Sequence, residues 1–438
     1  MSWPGVVRRG ADAATIGVHE SKRFLVTTSV GAMLRIPRFL CVAMALVLAT
    51  SCGGAGDSRP APTPTGTAVP VPSPDPTATP TPTPPETVVW LAGCSSGPDG
   101  GVCQCYSHLF GEGCPRGVLA RSADLGRTWS PTFLDLAVGS VTFLNRDRGW
   151  AVGYDGNRGV ILRTDDGGAT WADRSSTAEL PPEATERGVL GLTAIRFLDD
   201  TRGVIVGTGV TAKNGGPDFG YLREGFVLRT EDGGASWRPA SITSDLPLAR
   251  VGSLSSVCFS PEGVALAAGN PPLLSLDGGA TWTNIEERVV PDGSGPRWGI
   301  PQFAPQAAAC LADGRLFLAS SREVFGSEDY GLSWTLLSDP PGSALIPDLL
   351  FENPSSGWLA AGPLLRTGDG GRTWTEVDDG IPPPVAALST AVLSSDDILV
   401  SSYNGVSVSA DAGATWELFP VVNAREGVYS LEDIAVAK

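Results

Sequence analysis

The eight residues TDDGGATW, 164–171, decide the fold, because the same phrase keeps returning along the chain. Its pattern, Ser/Thr-x-Asp-x-Gly-x-Thr/Ser-Trp, recurs as SADLGRTW (122–129), TEDGGASW (230–237), SLDGGATW (275–282), SEDYGLSW (327–334), TGDGGRTW (367–374) and SADAGATW (409–416). Taken singly, the phrase resembles a site: carboxylates, glycines that open the backbone, and an indole that can stack on a sugar. A residue set present once per repeat cannot mark one unique active site. It reads instead as hairpin chemistry. The aspartates Asp124, Asp166, Asp232, Asp277, Asp329, Asp369 and Asp411 accept amide bonds across a turn, and glycine supplies a positive φ. No EF-hand spacing surrounds them, so no calcium loop is implied.

A second phrase precedes most copies: VTFLNRDRGWAVG (141–153), IRFLDDTRGVIVG (195–207) and LLFENPSSGWLAAG (349–362). Each reads as strand, short turn, strand. Together the two phrases make four strands per repeat of about 40–45 residues, the period of a propeller blade. Before the first copy, TVVWLAGC (87–94) supplies a second strand with no inner strand ahead of it. The segment SLEDIAVAK (430–438) reads as that missing strand. The expected fold is all-β, a seven-bladed propeller over 87–438, its ring closed by the C-terminal strand so that no sheet edge stays open.

These repeats resemble the Asp-box, or BNR, repeat of sialidases, sortilin-type receptors and xyloglucan-cleaving hydrolases. The seven copies with the double phrase look most like the photosystem II assembly/stability factor family. That resemblance implies a non-enzymatic scaffold with a protein partner. It also implies a patch of arginines on the propeller. At the inner-strand position taken as equivalent, this chain has Thr142, Arg196, Cys258, Cys310 and Leu350, a single arginine. Sialidases add an arginine triad, a Tyr–Glu pair and an early Arg-Ile-Pro. Here Arg-Ile-Pro falls at 35–37, inside a signal-like segment, and no such catalytic set assembles.

Residues 1–51 are an N-terminal extension and signal peptide, with Met33 the expected start. Arg35 and Arg38 precede an apolar run ending in LATSC, which resembles a bacterial lipobox with Cys52 as the lipidated thiol. Residues 52–86 then alternate Pro and Thr, an extended tether without a core. The first 51 residues hold six Lys/Arg and two Asp/Glu of the chain's 31 and 47, which leaves 25 basic and 45 acidic residues. Such acidity argues against nucleic acid, whose phosphates call for a basic face. Two histidines in the whole chain argue against a histidine metal site or a Ser–His triad. No cofactor, metal or catalytic residue is assigned. The expectation is a monomeric, extracytoplasmic module anchored at the membrane by lipid, or secreted if the signal is a plain secretory one, with a protein partner. A sialidase-like hydrolase or a carbohydrate-binding propeller is the alternative.

Binding residues are sought on the face opposite the Asp-box turns, where loops depart from the bare repeat. The segment 94–114 carries Cys94, Cys103, Cys105 and Cys114, read as two disulfides of undetermined pairing. Cys258 and Cys310 fall at equivalent inner-strand positions; a bridge and two buried thiols are both open. Candidate contacts are Tyr154 and Arg158 (154–159), Lys213, Tyr221 and Arg223 (208–225), and Arg297 and Trp298 (284–305). Their types are those enriched at interface hot spots.

Overall fold

The computed structural model describes residues 87–95, 116–156, 158–180, 189–212, 221–243, 252–290, 304–341, 348–377, 387–423 and 429–437. Cys52, Cys103, Cys105, Cys114, Lys213, Arg297 and Trp298 lie outside them. Seven sheets follow one another around a ring, antiparallel throughout except that the outermost strand of the fourth pairs parallel. Blade 1 holds β1 (Val88–Ser95), β2 (Gly117–Ser122) and β3 (Ser130–Leu134). Blade 2 holds β4 (Ala137–Phe143), β5 (Gly149–Tyr154), β6 (Gly159–Thr164) and β7 (Ala172–Asp173). Blade 3 holds β8 (Val189–Phe197), β9 (Gly203–Ala212), β10 (Tyr221–Thr230) and β11 (Arg238–Pro239).

Blade 4 comprises β12 (Ser241–Thr243), β13 (Leu254–Phe259), β14 (Ala265–Gly269), β15 (Leu273–Ser275) and β16 (Thr281–Asn284). A single helical turn, α1 (Glu286–Val289), follows. Blade 5 comprises β17 (Ala307–Cys310), β18 (Leu316–Ala319), β19 (Val324–Ser327) and β20 (Thr335–Ser338). Blade 6 comprises β21 (Asp348–Phe351), β22 (Gly357–Ala360), β23 (Leu364–Thr367) and β24 (Thr375–Glu376). Blade 7 comprises β25 (Ser389–Val392), β26 (Ile398–Ser401), β27 (Gly405–Ser409) and β28 (Glu417–Pro420). The last strand, β29 (Tyr429–Ala437), returns to blade 1 and pairs with β1 from Val88↔Ala437 to Ser95↔Tyr429. The ring is closed by that strand.

Each blade packs both sheet faces against its neighbours, so its middle strands bury consecutive apolar residues, as in Trp150-Ala151-Val152. The outermost strands face water: every residue of β3 is exposed or half-exposed. The main apolar clusters accordingly sit in the gaps between neighbouring blades. Trp150, Val152 and Ile161 of blade 2 meet Ile195, Ile205 and Leu228 of blade 3. Val89, Leu91 and Val118 of blade 1 meet Leu399, Val406 and Val408 of blade 7. Burying one such side chain contributes about 1.5–3 kcal/mol.

The repeated phrase forms the turn between the third and fourth strands. In blade 2 the Thr164 hydroxyl donates to Asp166 Oδ1 (2.8 Å) and accepts from Gly168 N–H (2.8 Å). Thr170 then donates its amide to Oδ1 (2.9 Å) and its hydroxyl to Oδ2 (2.6 Å). The same set recurs around Asp124, Asp232, Asp277, Asp329, Asp369 and Asp411. Gly168 shows why its position is a glycine. Its φ is +79°, and a Cβ there would lie 2.1 Å from the Trp90 ring of blade 1. In six blades the residue before that glycine donates its amide to the turn joining the blade's first two strands. Gly167 to the Asp147 carbonyl (2.8 Å) and Gly370 to the Ser355 carbonyl (2.8 Å) are examples. Both kinds of turn therefore form one face of the ring.

Candidate functional site

Two places gather polar side chains away from the repeated turns: the ring axis and the face opposite the boxes. At the axis, the row of Thr142, Arg196, Cys258, Cys310 and Leu350 is joined by a second row two residues upstream. That row reads Ser140, Ala194, Ser256, Ala308 and Asp348, with Ser389 and Asp433 at the matching register in blades 7 and 1. Each aspartate is bonded to the next blade. Asp433 Oδ2 accepts from the Ser140 hydroxyl (2.7 Å) and the Val141 amide (2.9 Å). Asp348 Oδ2 accepts from the Ser389 hydroxyl (3.1 Å) and the Thr390 amide (2.8 Å).

Arg196 spans blade 2 to reach blade 1. Its Nη2 donates to Asp433 Oδ1 (2.9 Å), and Nη1 donates to Asp433 Oδ2 (3.1 Å), Ser140 Oγ (2.9 Å) and the Ile195 carbonyl (2.8 Å). This is a two-pronged ion pair with a planar fork matched to a carboxylate. Hydroxyls continue the fastening elsewhere: Thr193 to the Leu254 carbonyl (2.8 Å), Ser255 to the Gln306 carbonyl (2.8 Å) and Ser401 to the Leu431 carbonyl (2.6 Å). Cys258 and Cys310 are joined as a disulfide between β13 and β17, with Cα atoms 5.7 Å apart.

Burial sets the protonation of Asp348. Removal from water pushes its carboxyl up to about 6, opposed by the Thr390 amide, raised further by Asp433 and lowered by Arg196. Asp348 Oδ1 accepts from the Leu349 amide (2.9 Å), so both its oxygens are engaged. Glu432, next to Asp433 in sequence, is buried and accepts from the Ser430 hydroxyl. Burial, and then the Glu432 charge, raises the Tyr403 hydroxyl. Chemically, this arrangement fastens blades: its carboxylates are consumed by neighbouring amides, hydroxyls and the guanidinium. Among the described residues, no three His, Cys, Asp or Glu side chains are grouped to hold a metal ion.

On the opposite face, blade 3 stands out. Strands β9 and β10 run ten residues each and stay paired from Thr230↔Gly203 at the box end to Tyr221↔Ala212 at the far end. The inner strand β8 follows them to Val189↔Val210. Tyr221 and Arg223 thus lie on the projecting part of a hairpin. Beside it, the β5–β6 turn of blade 2 abuts blade 3, since a Cβ on Gly159 would meet Leu192 at 2.8 Å. That turn carries Tyr154 and Arg158. The Tyr154 hydroxyl donates to the Gly156 carbonyl, and Arg158 pairs with Asp173 (2.7 Å) and Asp155 (3.3 Å). Half of the Arg158 side chain remains exposed. Cys94, at the start of the cysteine-rich segment, is buried and disulfide-bonded. Sequence reasoning placed Arg196 in its row but missed its carboxylate. The signal was the Asp433–Ser140–Asp348–Ser389 row, visible once the inner strands are aligned two residues earlier.

No family model and no curated protein matches the chain. Several solved structures resemble it. "YCF48 bound to D1 peptide" is 22% identical, with 70% of this chain and 87% of that chain covered and a TM-score of 0.43. YCF48 from Cyanidioschyzon merolae is 19% identical over 65% of this chain and 85% of that chain, with a TM-score of 0.45. The computationally designed Ika8 protein is 13% identical over 69% and 82%, with a TM-score of 0.40.

Proposed function

We propose that the protein is a non-enzymatic, extracytoplasmic propeller that binds a protein partner during assembly of an envelope or membrane complex. In this reading it is a relative of the photosystem II assembly-factor-like Asp-box proteins, tethered through a lipid on Cys52. The observation that carries the binding role is the unequal build of the two faces. Most of the box face repeats one hydrogen-bond scheme, whereas blade 3 rises from the other. The corresponding middle strands of blades 5, 6 and 7 run four or five residues. The extra five or so residues of β9 and β10 raise a ridge of roughly 15 Å at about 3.3 Å per residue. A hairpin of that length, stiffened by a third strand and carrying Tyr and Arg, costs little entropy to present. Tyr221, Arg223, Lys213, Arg297 and Trp298 are the assigned contacts, with Tyr154 and Arg158 shaping the adjoining turn.

A photo-crosslinking residue in place of Tyr221 tests the reading in cells that make the protein. One discrete protein adduct is expected from that position and none from Thr132 on the outer strand β3. Equal labelling from both positions, or none from Tyr221, would overturn it. Cys52→Ala should move the chain from the membrane to the soluble fraction; retention at the membrane would remove the lipid anchor from the proposal.

A further inference from the structure

Leu276, Tyr330, Leu332 and Leu336 are four of the six large hydrophobic side chains exposed among the described residues. All four belong to blades 4 and 5, on or beside their boxes. The boxes themselves do not demand them. Where Leu276 stands, other boxes carry Ala123, Asp165, Glu231, Glu328, Gly368 and Ala410. Where Leu332 stands they carry Arg127, Ala169, Ala235, Ala280, Arg372 and Ala414. Small or charged residues satisfy the turn and stay in water. Leucines that are 58% and 60% exposed do not.

The four side chains fall on two adjacent blades. Leu274 of β15 packs on Gly331, where a Cβ would sit 2.9 Å from its Cδ2. Leu276 follows two residues later, just past the end of β15. Gly331 is flanked by Tyr330 and Leu332, so the two boxes meet at this corner. Tyr330 occupies a left-handed backbone, φ +58°, where four other boxes place Gly167, Gly233, Gly278 and Gly370. An aromatic there carries a backbone cost that glycine avoids. Its ring is held flat over the adjoining turn, since a Cβ on Gly314 would lie 2.5 Å from it. Leu336 continues the patch onto the outer strand β20, 52% exposed.

Carboxylates outnumber cations along these two boxes: Asp277, Glu328, Asp329 and Asp313, the last paired with Arg315 at 3.5 Å, against Arg202, whose Nη1 reaches Gly278. The chain as a whole carries a formal charge of −16. An apolar surface with an excess of carboxylates beside it is complementary to apolar residues interleaved with Lys or Arg. A second copy of this chain and an anionic bilayer both bring like charge. We propose that this corner of the box face, Leu276–Tyr330–Leu332–Leu336, docks a basic, amphipathic segment of another protein. It stands apart from the blade 3 ridge, so either surface can fail without the other.

The test is binding of a labelled amphipathic Leu/Lys peptide to the purified chain at physiological salt, followed by fluorescence anisotropy. Saturable binding is expected, weakened about tenfold or more in the Leu276→Asp/Leu332→Asp double variant. The added carboxylates separate the two forces. Attraction by charge alone would tighten on that change, so unchanged or tighter binding overturns the proposal. Binding no stronger than that of a Gly/Lys peptide of equal charge overturns it as well. Both leucines are exposed, and an unchanged Tm with retained binding to Tyr221→Ser checks that the fold and the opposite face are not involved. A dimer of the wild-type chain that Leu332→Asp dissociates would assign the patch to self-association and overturn the committed partner.

Discussion

The carboxylates of the box turns and those of the ring axis belong to the same residue type and behave in opposite ways. Asp166 and Asp369 sit at the rim in water, and donated hydroxyls and amides hold both carboxyls at about 2, the Thr170 and Thr373 hydroxyls leading. Asp348 accepts a comparable set of bonds, yet burial pushes it up to about 6. Hydrogen bonding alone does not fix the state of an acid; the loss of water can exceed it. The rim carboxylates organise backbone within one blade. The axial ones join blades, and through Asp433 they hold the strand that closes the ring.

The largest way to break this contrast is to remove the closure itself. Deleting residues 431–438 takes away most of β29 and should abolish a single cooperative melt in calorimetry. Asp433→Ala comes next. It leaves Arg196, Ser140 and the Val141 amide without their acceptor and should cost about 3 kcal/mol in denaturant unfolding. A loss under 1 kcal/mol would mean that the axial pair fastens nothing. Asp277→Ala, at the rim, removes the acceptor of two hydroxyls and two amides in exposed positions, and should cost about 1 kcal/mol. If it cost more than Asp433→Ala, the ranking of axis over rim would be reversed.

The smallest effect is a change of sign with pH. Folded Asp348 keeps its proton at pH values where the unfolded chain has lost it, so its contribution to stability falls as pH rises from about 4 through 6. The rim aspartates act the other way: their stabilisation is full above the unfolded carboxylate range and is lost as pH falls from about 4 toward 2. Asp348→Asn should change stability at pH 7 by less than about 1 kcal/mol, because one lost acceptor offsets relief of the buried charge. Relative to it, the wild type should gain Tm between pH 7 and pH 4.5. Parallel profiles would remove Asp348 from the account.

The ring was legible because its signals are local and repeated. Seven copies of the box name the turn, and TVVWLAGC without a preceding strand names the blade that needs completing. The axial pair is a different kind of fact. Arg196 and Asp433 are 237 positions apart and belong to blades that are not neighbours. Nothing in either local phrase joins them until the blades are placed in a circle. The Cys258–Cys310 bridge stood between: equal register in adjacent blades brought the thiols near, but only the geometry chose a bond over two buried thiols. The exposed leucines were written in the variable positions of the boxes, which the search for the constant ones passed over.

Closure by β29 also has a consequence in time. Strand β1 is among the first pieces of the ring to be synthesised, and its inner partner is among the last. Until Tyr429–Ala437 emerges, β1 presents Val89 and Leu91 along an open edge, and blades 1 and 7 cannot complete the core they share. A growing chain therefore carries a sticky edge through most of its synthesis. Folding of this ring is an event of completion, and its first strand must be kept from pairing with a stranger until its last one arrives.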